Sequence, residues 1–253
     1  MNVKGKVILI TGAVGGLGEE IAWTLAANGA KLYLTDLESK LEDGNNLAGS
    51  IERRCGVYTR FLPLDITSED RWRYVTGQVE KDETRIDVLV NNAGINIRKP
   101  VEEMSMDEWS TMMSVNTGGV FLGTKYVLPI MRNQGGGCII NTSSVCGLIG
   151  HRFTTEAYTA SKGAVTLFTK AIAARYGKDG IRCNSIHPST VDTPLVHEKL
   201  NDPQFAAERL GEVPLGRLAT PADVANAVLY LASDEASFIN GISLPIDGGV
   251  TCC

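Results

Sequence analysis

The chain has 253 residues, 43 % hydrophobic and 21 % charged, with 27 glycines where a usual share would give about 18. No G-X-Y period runs through it and its apolar content is globular, which excludes a collagen and a flexible linker. A net charge of −5 without any Lys/Arg-rich run argues against nucleic-acid binding, and no apolar stretch approaches the ~18 residues of a membrane span. Strand-like apolar runs stand at 7–10, 32–34, 57–62, 88–90, 138–140, 181–186 and 242–246. Segments of helix length fall between most of them, at 17–28, 68–83, 106–132, 155–178 and 221–232. The first run is too short for the core of a secretion signal. The segment 38–55 is a weaker helix, interrupted by Gly44-Asn45-Asn46. Thr67-Ser68-Glu69-Asp70 places acids in a first turn, and Thr220-Pro221-Ala222-Asp223 has a capping Thr ahead of a first-position Pro. Runs apolar on both faces that alternate with amphipathic helices predict an α/β fold. The expected architecture is a doubly wound (Rossmann) parallel sheet of about seven strands with helices on both faces. No linker or repeat divides the chain, so residues 1–253 are read as a single dinucleotide-binding and catalytic domain.

The cysteines, Cys55, Cys138, Cys146, Cys183, Cys252 and Cys253, form no C-x-x-C pair, and the three histidines give no zinc-ligand spacing. No metal is expected, and free thiols fit a reducing cytoplasm. The run 7–10 ends in Thr11-Gly12-Ala13-Val14-Gly15-Gly16-Leu17-Gly18 before the first helix. Such a turn lets backbone approach a pyrophosphate and aims the helix N-terminus at its charge. The spacing lacks G-x-x-x-x-G-K-[ST], so a phosphate-cleaving loop is not indicated. Asp36 closes the second strand, where an acid can accept from the adenosine ribose hydroxyls and repel a 2′-phosphate. NAD is therefore preferred over NADP; the alternative is that Asp36 only caps the next helix. Tyr158 is followed four residues later by Lys162, on one face if the segment is helical. A phenol ordinarily titrates near ~10, and a neighbouring ammonium joined by an oxidised nicotinamide would lower that value. This is the chemistry of a general acid/base with an electrostatic tuner.

From about Lys6 to Gly249 the chain resembles the short-chain dehydrogenase/reductase family in its compact single-domain branch. The resemblance rests on the glycine turn, on Asn91-Asn92-Ala93-Gly94, on Val115-Asn116-Thr117-Gly118, on Ser143-Ser144-Val145-Cys146-Gly147 and on Tyr158-Thr159-Ala160-Ser161-Lys162. It implies a cofactor site formed by Gly12, Gly16, Leu17, Gly18, Asp36, Leu37, Asp65, Ile66, Asn92, Ala93, Gly94, Tyr158, Lys162, Pro188, Val191 and Thr193. Asp65-Ile66 would hold the adenine. It also implies a catalytic set of Asn116, Ser144, Tyr158 and Lys162. Ser144 is favoured over Ser143 by the Ser-x-x-Gly spacing. In alcohol oxidation Tyr158 would take the hydroxyl proton while hydride leaves the carbinol carbon, with Ser144 stabilising the oxygen and Asn116 anchoring a proton relay. One departure stands out: Pro188-Ser189 replaces the family's Pro-Gly, so the local turn is expected to differ. A homo-oligomer, dimer or tetramer, is implied through the long segments 106–132 and 155–178.

The leading function is an NAD-dependent secondary alcohol dehydrogenase or ketone reductase acting on a small molecule. Leu148, Ile149, Leu195, Val196, Leu200, Phe205 and Leu210 give the site and its lid, at about 189–215, an apolar character. A hydrophobic, cyclic or hydroxysteroid-like substrate is expected. The alternatives are a non-catalytic dinucleotide-binding regulator on the same fold and a 3-oxoacyl thioester reductase. The first is disfavoured because a sensor needs only the cofactor turn, the second because Asp36 opposes NADPH. His151, His187 and His197 are read as surface or structural residues, and Trp109, Met112 and Met113 as core or interface.

Overall fold

The structure, a computed structural model, describes residues 1–252, and of Pro194, Leu195 and Lys199 only the backbone. The expected apolar side chain of Leu195 and the tail residue Cys253 thus lie outside the described residues. Seven strands form one sheet: β1 (Val7–Thr11), β2 (Lys31–Asp36), β3 (Thr59–Pro63), β4 (Val88–Asn91), β5 (Gly137–Thr142), β6 (Ile181–Pro188) and β7 (Ser243–Ile246). Every pairing is parallel, in the order β3-β2-β1-β4-β5-β6-β7. The helices are α1 (Gly16–Ala27), α2 (Leu41–Cys55), α3 (Glu69–Glu83), α4 (Met106–Met113), α5 (Gly119–Asn133), α6 (Glu156–Tyr176), α7 (Pro194–Lys199), α8 (Pro203–Gly211) and α9 (Pro221–Ala232).

Strand residues alternate between two cores because successive side chains leave opposite faces of a sheet. Ile8, Ile10, Leu32, Leu34, Val88 and Val90 pack with α1, α2 and α9 on one face. Val7, Leu9, Tyr33, Leu89 and Ile139 pack with α3, α5 and α6 on the other. Strand order reverses between β1 and β4, whose carboxyl ends diverge into a crevice where such sheets bind ligands.

Two local outcomes differ from the sequence expectations, and the lid gains an inner structure. The helix across Gly44-Asn45-Asn46 is continuous, because Gly44 lies against the Phe61 ring, where a Cβ would come within 2.3 Å. The expected helix 106–132 is two helices joined by a π-helical turn, Ser114–Gly118. The lid holds two helices, α7 and α8, each with proline in its first turn.

Candidate active site

At the end of β1 the backbone passes through Gly12, Gly15 and Gly16 with φ of +61°, +88° and +55°. A Cβ on Gly12 would stand 2.8 Å from Ala93 Cα, and one on Gly18 only 1.9 Å from the Gly12 carbonyl oxygen. Gly15 and Gly16 instead face open space, a concavity at the N-terminus of α1 where backbone N–H groups lack intrahelical partners. At the end of β2, the Asp36 carboxylate accepts from the Val14 amide at 3.0 Å and the Leu37 amide at 2.9 Å. That fixes a negative charge at the rim of the glycine turn. Next to it is a cavity of about 330 Å³ walled by Leu37, Leu64, Asp65, Ile66 and Val115.

Thr11 clamps the exit of β4 to this turn. Its Oγ1 accepts from the Asn92 and Ala93 amides at 3.0 and 3.1 Å. The Asn92 side chain returns two bonds, to the Thr11 and Gly12 carbonyls at 3.2 and 3.0 Å. Beyond Gly94, Asn116 sits buried in the π-helical turn, a departure from regular winding that is frequent at functional sites. Its amide nitrogen donates to the Ile95 carbonyl at 2.9 Å and to Ser161 Oγ at 3.0 Å, and its oxygen accepts from the Ile95 amide at 2.8 Å. One side chain thus ties the β4 loop to α6.

On α6, Tyr158 and Lys162 share a face, with Lys162 Nζ 5.6 Å from the Tyr158 ring centroid. The ammonium is buried and donates to the Thr142 carbonyl at 2.8 Å. Burial pulls its pKa down to about 8. The same burial pushes the Tyr158 phenol up to about 12, while the Ser144 hydroxyl and the Arg98 charge pull the other way. The expected lowering invokes the oxidised nicotinamide as well as Lys162; in the protein alone, desolvation outweighs those two attractions.

The two serines separate cleanly. Ser143 Oγ turns into α6, bonding the Lys162 carbonyl at 2.9 Å and Thr166 Oγ1 at 3.1 Å. Ser144 lines the cleft, with its Oγ accepting from the Cys146 amide at 3.2 Å. His187, fully buried, holds this segment through Nδ1 to the Ser144 carbonyl at 2.7 Å and Nε2 to Ser185 Oγ at 2.8 Å. A carbonyl only accepts, so Nδ1 carries the proton, and burial keeps the ring neutral.

Ser189 needs no glycine-like backbone: Thr84 is the one non-glycine at positive φ among the described residues. The chain turns after Pro188 with Ser189 outside the positive-φ region. Val191 is buried and pairs in a bridge with Ala219, and Thr193 caps α7. Both line the second cavity, also about 330 Å³, which shares Asn92, Gly94 and Ile95 with the first. Two hydroxyls lining it, Thr142 Oγ1 and Ser189 Oγ, are buried without a hydrogen-bond partner. Orphaned polar atoms, a Cβ-free cradle and a fixed carboxylate along one crevice fit a dinucleotide.

Of the expected apolar residues, Val196 and Phe205 line the cleft, whereas Leu148, Ile149 and Leu210 are exposed. The sequence reading missed Arg98, Phe153 and Arg209, which line it too. Their loops come together only on folding, so no local spacing announces them. His151 also lines the cleft and pairs with Glu212 at 3.3 Å, so it is more than a surface residue. His197 is exposed and pairs with Asp192 at 3.0 Å.

A cradle shaped for a dinucleotide, opening onto a phenol placed to exchange a proton, marks the molecule as an oxidoreductase. Residues 12–251 match a family model described as enoyl-(acyl carrier protein) reductase. The chain is 45 % identical over 250 residues to cyclopentanol dehydrogenase of Comamonas testosteroni, covering 99 % of this chain and 98 % of that one. It is 40 % identical over 256 residues to trans-4-hydroxycyclohexanecarboxylate dehydrogenase of Sinomonas cyclohexanicum, covering 99 % and 94 %. It superposes with TM-score 0.93 and 33 % identity on a gluconate 5-dehydrogenase from Burkholderia cenocepacia in complex with NADP and tartrate, covering 100 % and 97 %. The chain belongs to the short-chain dehydrogenase/reductase family.

Proposed function

We propose that the protein is an NAD(H)-dependent dehydrogenase of cyclic secondary alcohols, reducing the corresponding ketones in reverse. The observation that carries this reading is the cluster of Ser144, Tyr158 and Lys162 in a cleft continuous with the Asp36-rimmed cavity. When bound, the nicotinamide supplies the hydride acceptor or donor, and in its oxidised form a positive charge that favours a phenolate nearby. Gly12, Gly16, Leu17 and Gly18 would hold its pyrophosphate, and Asp36 and Leu37 its adenosine ribose. Asp65, Ile66, Asn92, Ala93 and Gly94 would line its path, with Pro188, Val191 and Thr193 at the carboxamide. Tyr158 accepts the hydroxyl proton as the carbinol carbon becomes a carbonyl, and Ser144 donates to the oxygen. Lys162 holds positive charge beside the phenol, and Asn116 keeps the β4 loop and α6 in register.

Asp36 supports NAD over NADP by charge, although the gluconate 5-dehydrogenase structure carries NADP. The names of the cyclopentanol and hydroxycyclohexanecarboxylate relatives support a cyclic substrate. Four free cysteines lie buried or half-buried, which suits a reducing cytoplasm. No helix among the described residues is long and apolar enough to cross a membrane. Leu167, exposed on α6, and Phe121, exposed at a hollow of about 1080 Å³ lined by α5 and α6, support self-association through those helices.

Following NADH absorbance with cyclopentanol, cyclohexanol, linear alcohols and, in reverse, a 3-oxoacyl thioester tests the reading. Turnover of the cyclic alcohols with NAD is expected. Reduction of the thioester with NADPH, with the cyclic alcohols inert, would overturn it.

A further inference from the structure

The substrate cleft is lined by basic side chains and by no carboxylate, in a chain whose net charge is −5. Arg209, on α8, is 7 % exposed, with its guanidinium against the Phe153 and Phe205 rings at 4.5 and 5.1 Å. It donates to the Phe153 carbonyl at 2.9 Å and stands 3.7 Å from Glu212. Glu212 is already shared, because His151 Nε2 lies 3.3 Å from it. His151 is nine-tenths buried, and its Nδ1 has no hydrogen-bond partner. Arg98 comes from the loop after β4, lines the same cleft and makes no ion pair or hydrogen bond among the described residues. Its charge nevertheless reaches both Tyr158 and Arg209. Glu212 therefore serves Arg209 and His151 together, with Glu208 adding its charge at Arg209, while Arg98 has no ion pair among the described residues.

Arg98 is exposed and solvated while Arg209 is buried, so an anion entering the cleft would meet one mobile guanidinium and one held in place. An arginine fork matches the two oxygens of a carboxylate, and Phe153, Phe205 and Val196 offer an apolar wall for a ring. We infer that the substrate carries a carboxylate on its ring, opposite the reacting carbinol, and that Arg98 with Arg209 is the pair that selects it. This inference rests on the alcohol dehydrogenase reading above and names the substrate class within it: a cyclic hydroxy acid and its oxo acid. Arg98 supplies the uncompensated charge, and Arg209, fixed between two rings, supplies direction.

The test compares 3-hydroxycyclopentanecarboxylate with its methyl ester under NAD, taking the ratio of kcat/KM within each protein so that general losses cancel. The wild-type enzyme is expected to favour the acid by roughly 10- to 100-fold, the worth of a hydrogen-bonded charge pair. Arg98→Gln should bring the ratio near one while the KM for NAD stays in place. An acid-to-ester ratio near one in the wild type would overturn the inference and leave the dehydrogenase reading standing. So would a ratio unchanged by Arg98→Gln, with the KM for NAD raised instead. If no alcohol of either kind is oxidised, the dehydrogenase reading fails. Calorimetry of cyclopentanecarboxylate against cyclopentanecarboxamide on the NADH-loaded protein then decides the inference alone. Tighter binding of the acid, weakened by salt, supports it; equal binding overturns it.

Discussion

Because the Asp36 carboxylate is held by the amides of Val14 and Leu37, it cannot swing aside from an incoming 2′-phosphate. Asp36→Ser removes a hydrogen bond to a charged group and is expected to raise the KM for NAD by roughly 10- to 100-fold. The KM for NADP should fall or stay level in the same variant, and steady-state kinetics with both cofactors checks this. Lys162 gives a prediction of a different kind. Burial puts its pKa at about 8, below the ordinary 10.5, so the unfolded chain binds the proton more tightly than the folded one. Its charged form therefore opposes folding below pH 8, and stability recovers as pH rises from about 8 to 10.5. Lys162→Met should lose most turnover yet melt at a higher temperature than wild type at pH 7, with the gap closing toward pH 10. Thermal melts across that range, run beside activity assays, read both effects. At this scale the Tyr158–Lys162 pair was legible, since four residues of spacing on a helix is a local fact. The upward pull of burial on the phenol was not, because it depends on how much protein surrounds the ring.

Element by element, the strands were legible because residues buried on both faces are apolar without a break. Capping signals were equally plain. Thr220 and Asp223 form a capping box at α9, and Ser68 accepts from the Arg71 amide at α3. The π-helical turn left no such mark, since the apolar pattern of 106–132 runs through it. It shows in the backbone winding of Ser114–Gly118, within which Asn116 bonds Ile95 and Ser161. Gly44 looked like a break in α2 because glycine is a poor helix former, but its role is steric. Alanine there would gain about 1 kcal/mol in helix propensity and place a methyl group against the Phe61 ring. The clash dominates, so Gly44→Ala is expected to destabilise by about 1–3 kcal/mol in urea unfolding. Adding Phe61→Leu should restore part of the loss.

For the whole molecule, strand order concentrates the chemistry. Thr11, Asn92, Ser144 and Pro188 lie at or just beyond the carboxyl ends of β1, β4, β5 and β6, which are neighbours in the sheet. Alternating strand and helix patterns made that architecture readable in advance, whereas the basic lining of the cleft, Arg98 from the β4 loop and Arg209 from α8, comes together only on folding. Leu167, 69 % exposed on α6, should lie between subunits in the proposed assembly. Leu167→Asp is expected to reduce the mass measured by light scattering, while an unchanged mass would place the contact elsewhere. Catalysis turns on proton exchange at one phenol. Its most direct test is oxidation of cyclopentanol with NAD by Tyr158→Phe. A fall in kcat of roughly 10²- to 10⁴-fold with NADH binding close to wild type is the predicted result, and turnover at the wild-type rate would contradict it.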